Sequence, residues 1–200
     1  MLLRYTASAD NTIVSAYQPN LRTRGTGANA GLADIVEVFS IYGRQTPSTP
    51  NTTASQELSR YLVQFPITTI TADRTSGALP ASGSVSFYLR MFNAPTSKTV
   101  PVEYKLVAHR ITEEWEEGIG LDLEGYKDQV QGNIGSDWIQ RKKGANWSNV
   151  GGTYSTTAEE FFEQSFPTGL EDMEMNITSL VEKWMAGSVN NYGVLIKLSS

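Results

Sequence analysis

The chain has 200 residues, 40% hydrophobic and 18% charged, with a net charge of −5 and a pI near 5.0. That suits one domain with a core of its own, and an acidic balance argues against non-specific nucleic-acid binding, which needs cations against phosphate. The absence of cysteine removes disulfides and thiolate chemistry, and no apolar run approaches the ~20 residues of a membrane span.

The opening MLLRYTASADNTI lacks the apolar core of a signal peptide, so no export is expected. Charge is uneven. Residues 1–100 hold 8 basic and 5 acidic side chains (+3), and residues 101–200 hold 8 and 16 (−8).

Residues 5–17, around Ile13 and Val14, form a plausible first strand, and the Gly/Asn/Arg-rich stretch 18–32 reads as a long loop. Ile35–Tyr42 is a second strand, followed by a Pro- and Thr-rich loop over 43–55. Ser59–Ile67 is a third strand, limited at Pro66 to an edge or a strand end. Thr69–Gly83 is a mixed connection. Val85, Phe87, Leu89 and Met91 then alternate along 85–92, and 102–111 forms a further strand.

Residues 112–156 lack periodicity but hold Trp115, Trp138 and Trp147 amid glycines and acids, which suggests a compact insertion over one end of the fold. Residues 157–166, around Phe161, Phe162 and Phe166, could be a short helix or a strand.

The last 29 residues change period. Met173, Met175 and Ile177 alternate as in a strand, and then Ile177, Leu180, Val181, Trp184 and Met185 make one helical face. Ser179 and Glu182 have capping-box spacing, Gly187 is placed to end the helix, and Val194–Leu198 closes the chain as a strand. The expected fold is all-β: one domain over 1–200, a jelly-roll-like antiparallel β-sandwich with one short helix at 178–186 plugging its open end and the 112–156 loop insertion. Val36, Val38, Leu62, Phe65, Val85, Phe87, Leu89, Leu106, Met175, Leu180, Trp184 and Leu195 are the expected core.

Chemistry-bearing patterns are few. His109 is the only histidine and sits mid-strand among apolar residues, as a hydrogen-bonded core histidine would. No nucleophile elbow, phosphate loop or HExxH is present. Within the acidic run Glu113–Glu117, Glu114 and Glu117, or else Asp122 and Asp128, could pair for glycoside hydrolysis, but sequence neighbours say little about that geometry. Asp122, Glu124 and Asp128 could hold a structural Ca²⁺ in a Gly-containing loop. Trp138, Trp147 and Tyr154 could stack on sugar rings, with Asp137, Asn146 and Asn149 bonding the hydroxyls, or could pack the insertion. Arg141, Lys142 and Lys143 form a basic run that could meet an acidic partner surface.

Five stretches in order carry a resemblance: Ala9–Ile13, Ser59–Phe65, Gly83–Arg90, His109–Gly118 and the closing strand-helix-strand. They resemble the DNRLRE-type β-sandwich domains, jelly-roll modules related to carbohydrate-binding modules. The peptide that names that family is absent in literal form. Trp115–Asp122, Tyr126–Asp128, Asp137–Ile139, Trp147 and Gly151–Tyr154 are further similar to single-domain virion structural proteins of tailed bacteriophages. The resemblance implies a non-catalytic neck, tail or capsid-surface protein. It would be made in the host cytoplasm, carried in the virion and packed against other virion proteins as a symmetric homo-oligomer, without direct nucleic-acid or membrane contact. The alternative it implies is a carbohydrate-binding module for attachment to a host-surface or extracellular polysaccharide.

Overall fold

The computed structural model describes residues 2–20, 22–42, 56–121 and 134–199. Its strands are β1 (Ala9–Ser15), β2 (Ser40–Tyr42), β3 (Gln56–Gln64), β4 (Tyr88–Met91), β5 (Tyr104–Arg110), β6 (Gln140–Lys142), β7 (Ala145–Asn146), β8 (Phe161–Phe166), β9 (Met173–Asn176) and β10 (Val194–Leu198). Among the described residues the α-helices are α1 (Ile67–Ser76) and α2 (Thr178–Met185). The main sheet runs β1-β3-β10-β5-β8, antiparallel throughout, and β2 extends it. Ser15 and Ser40 both oppose Leu58, so β1 and β2 flank β3 on opposite edges. A β4–β9 pair and a β6–β7 hairpin are separate small sheets.

This is an all-β, asymmetric sandwich. On one face, Tyr61, Val63, Ala108, Val194 and Ile196 of the main sheet share a core with Leu89, Met173 and Met175 of β4–β9 and with Leu180, Val181 and Trp184 of α2. On the other, Ile13, Leu62 and Leu195 pack with Ile111, Trp115, Trp138 and Trp147. With both faces covered, β1 and β10 show consecutive buried residues instead of alternation, as a doubly buried strand should. Among the described residues no helix is long and apolar enough to cross a membrane.

The closing unit forms as expected, with one change of place. α2 belongs to the second layer over the sheet and does not plug an open end, because its apolar stripe meets the central strands β3, β10 and β5. The expected capping box is also corrected. Glu182 pairs with Arg74 through two hydrogen bonds of 2.6 and 2.9 Å, and Ser179 reaches only the Glu159 carbonyl. Asn176 Oδ1 starts the helix instead, accepting from the Thr178 amide and hydroxyl. Gly187, with φ +68°, ends it, its amide and that of Ser188 donating to the Trp184 and Lys183 carbonyls. A Cβ there would meet nothing within 4 Å, so Gly187→Ala is expected to cost only the left-handed backbone penalty, about 1 kcal/mol in a urea melt.

Helix α1 stands where a mixed connection was expected. Its sequence ITTITADRTS is rich in β-branched residues, poor helix formers, and only Ile70 is buried. Distant groups hold it: Arg74 pairs with Glu182 of α2, and the Tyr5 hydroxyl donates to Asp73 at 2.7 Å. Residues 157–166 resolve into a 3-10 turn, Ala158–Glu160, and then β8. The strands expected at 35–42 and 85–92 shrink to Ser40–Tyr42 and Tyr88–Met91, and Ile35 is exposed. Leu62, Leu89, Met175, Leu180, Trp184 and Leu195 are buried as expected, while Val36, Val38, Phe65, Phe87 and Leu106 pack against the core half-buried.

Candidate functional site

The two charged runs meet each other. The insertion returns as the β6–β7 hairpin beside residues 113–117, where the Glu116 amide donates to the Arg141 carbonyl and the Ser136 amide to the Glu116 carbonyl. Lys142 Nζ lies 2.7 Å from Glu114 Oε2, and Arg141 Nη1 donates to the Glu114 carbonyl at 3.0 Å. The Lys142 hydrogen bond holds the Glu114 carboxyl below its ordinary range. Burial works against charge on Glu113, yet hydrogen bonds from Ser148 and Thr153 still bring it below that range. Glu117 accepts from the Asp10 amide at 2.8 Å. A general acid needs a carboxyl shifted the other way. The basic run is largely committed as well, with Lys143 left exposed.

The stacking platform is corrected. Trp138 and Trp147 are 7% and 4% exposed, and their rings line the core beneath the insertion. Trp147 Nε1 donates to the Asp137 carbonyl, and Trp115 Nε1 to the Tyr192 carbonyl, so each indole is tied inward. Asp137 serves the fold: its Oδ1 accepts from the Ile139 and Gln140 amides and shapes the turn into β6. Tyr154 is half-buried, with its ring 4.5 Å from that of His109. His109 is buried between Tyr154 and Phe161, its Nδ1 3.2 Å from the Ser155 carbonyl. Burial, then the charge of Lys197, pushes the imidazole pKa down. The proposed calcium ligands Asp122, Glu124 and Asp128 lie outside the described residues. Among the described residues no three acids or histidines gather to hold a metal.

The structure brings together two groups that sequence patterns missed. One is buried. Asn11 Nδ2 donates to Ser136 O and Oγ at 2.8 and 2.9 Å, and its Oδ1 accepts from the Ala30 amide. Asn29 accepts from the Gly120 amide and donates to the Ile134 carbonyl, both at 3.1 Å. These two amides tie the insertion to β1 and to the loop after it across more than 90 residues, and no periodicity could have announced them.

The other is exposed. Where β4, β5, β8 and β9 end together, Phe92, Val102 and Leu170 are 71%, 57% and 69% exposed. Their loops are braced. Asn93 donates from its side chain to the Gly169 carbonyl at 2.8 Å and from its amide to Asp172 at 3.0 Å, and Gly169 packs on the Pro101 carbonyl. Thr168 bonds Glu171, and the Arg90 guanidinium sits 5.0 Å from the Phe92 ring centre. Three large apolar side chains are thus exposed on braced loops at one end of the fold, where another protein could cover them. Comparison with family models, with curated proteins and with solved structures returns no match.

Proposed function

We propose that this protein is a non-catalytic structural component of a tailed-phage virion, a relative of the DNRLRE-type jelly-roll domains. It packs against other virion proteins, copies of itself included, at a neck, tail or capsid surface. The observation that carries the reading is the braced apolar end formed by Phe92, Val102 and Leu170. Rigid sheets with outward apolar loops lose little conformational freedom on docking, so the buried area converts efficiently into affinity. The pairing of the acidic run with the basic run supports the same reading, since those charges serve the fold. The glycan alternative loses the two indoles on which it relied.

The double variant Phe92→Asp with Leu170→Asp tests it. Both side chains point to solvent, so the monomer should melt within about 0.5 kcal/mol of the parent. Ring or lattice formation and co-sedimentation with particles should be lost. A parent chain that stays monomeric at every concentration and is absent from purified particles would overturn the proposal.

A further inference from the structure

On the sheet face that carries the tryptophans, β3 and β10 place two cations side by side. The antiparallel register runs Val194 to Val63, Leu195 to Leu62 and Ile196 to Tyr61. Continued by one residue, it sets Lys197 against Arg60. Both are half-buried. Like charges directly opposite across a strand pair repel, yet among the described residues no carboxylate lies within ion-pair distance of either. Glu163, on β8 of the same face, is engaged by Lys105 at 3.1 Å.

The guanidinium of Arg60 is fixed in orientation. Its central carbon lies 4.8 Å from the Trp138 ring centre and 5.7 Å from that of Tyr154, and Nη1 donates to the Gly151 carbonyl at 2.5 Å. The other N–H groups of the fork have no acceptor among the described residues. The ammonium of Lys197 likewise has no hydrogen-bond partner there. The register puts the two charges on neighbouring strands, and burial, then Arg60, pushes the Lys197 pKa down.

We propose that Arg60 and Lys197 form a binding site for a small divalent oxyanion of the phosphate or sulfate class. The stacked fork supplies planar, directional donors, and the ammonium supplies a point charge beside it. Two adjacent cations match a dianion better than a monocarboxylate. The ligand offsets the repulsion that the bare pair carries and joins β3 to β10 beside Trp138.

The test is thermal unfolding of the whole chain, titrated with inorganic phosphate, sulfate or acetate at ionic strength matched with sodium chloride. Phosphate and sulfate should raise Tm along a saturating curve. Acetate should act at least about tenfold more weakly in apparent Kd, a difference of about 1.4 kcal/mol. Lys197→Met should abolish the saturating response and raise the ligand-free Tm, because the repulsion is gone. Lys98→Met, at an exposed lysine in the loop between β4 and β5, should keep it. The His109 ring resonances should shift with the same midpoint as the Tm curve. A response that rises linearly with salt, the signature of surface exclusion, or that survives in Lys197→Met, would overturn the proposal. Acetate matching phosphate would overturn it too.

Discussion

Gly120→Ala is expected to destabilise the protein by about 3 kcal/mol, the upper range for forcing an atom into a packed site. A Cβ at Gly120 would overlap the carbonyl oxygen of Asn29, which is backbone and cannot swing aside. Yielding is blocked on both sides. Ala30 donates to the Thr12 carbonyl at 3.0 Å, tying this loop to β1, and Leu32 donates to the Gly120 carbonyl at 2.9 Å. Moving residue 120 away would break the 3.1 Å bond from its amide to Asn29 Oδ1 and leave a buried amide acceptor unpaired. At Gly118 a Cβ would overlap the side-chain amides of Asn29 and Asn11, which their own hydrogen bonds hold in place. Gly27→Ala is the control: its Cβ would meet nothing, and the change should be neutral or slightly stabilising. Urea midpoints of the two variants decide it, and a Gly120→Ala value within 1 kcal/mol of the parent would refute the confinement.

Glu160→Gln should cost about as much, roughly 3 kcal/mol at neutral pH, because it leaves two cations around a buried site without their counter-charge. The Glu160 carboxylate is 4% exposed and lies 2.8 Å from Arg110 Nε and 3.2 Å from Lys183 Nζ, joining the 3-10 turn to β5 and α2. Burial opposes its charge. Hydrogen bonds from Ser155, Arg110 and Lys183 outweigh that and hold its pKa at about 2, against 4.5 for a free glutamate. The folded form therefore binds this proton less readily than the unfolded chain. The stabilisation is complete above about pH 4.5 and is lost as the pH falls toward about 2. Acid titration of the parent should show that loss, and Glu160→Gln should flatten the curve across the same window. His109, whose pKa is lowered by burial, starts a separate loss of stability as the pH falls below its unfolded value of about 6.5, and the variant should keep it. Parallel curves for the two proteins below pH 4.5 would remove Glu160 from this role.

The exposed apolar end and the buried amides show why some of the site was legible and the rest was not. Met173, Met175, Leu180, Val181 and Trp184 announce a strand and then a helix because alternation and helical spacing are properties of neighbouring residues. Val194–Leu198 could be read for the same reason. Helix α1 carries no such pattern; Arg74 with Glu182, 108 residues away, and Tyr5 with Asp73 hold it. Phe92 read as the end of a strand, and only the meeting of four strand ends brings it to the same end of the fold as Leu170.

Composition and period alone pointed to an all-β protein with a helix over 178–186, found at 178–185, and a tryptophan-bearing insertion. They could not determine which way the tryptophans face. An indole is an open platform or a core residue according to what lies over it, and here the cover comes from β1, β3 and β10, far away along the chain. The pairing of Glu114 with Lys142 and the confinement of Gly120 by Asn29 were likewise decided only in the tertiary structure. Coulomb attraction and steric overlap act through space, and a sequence records distance only along itself.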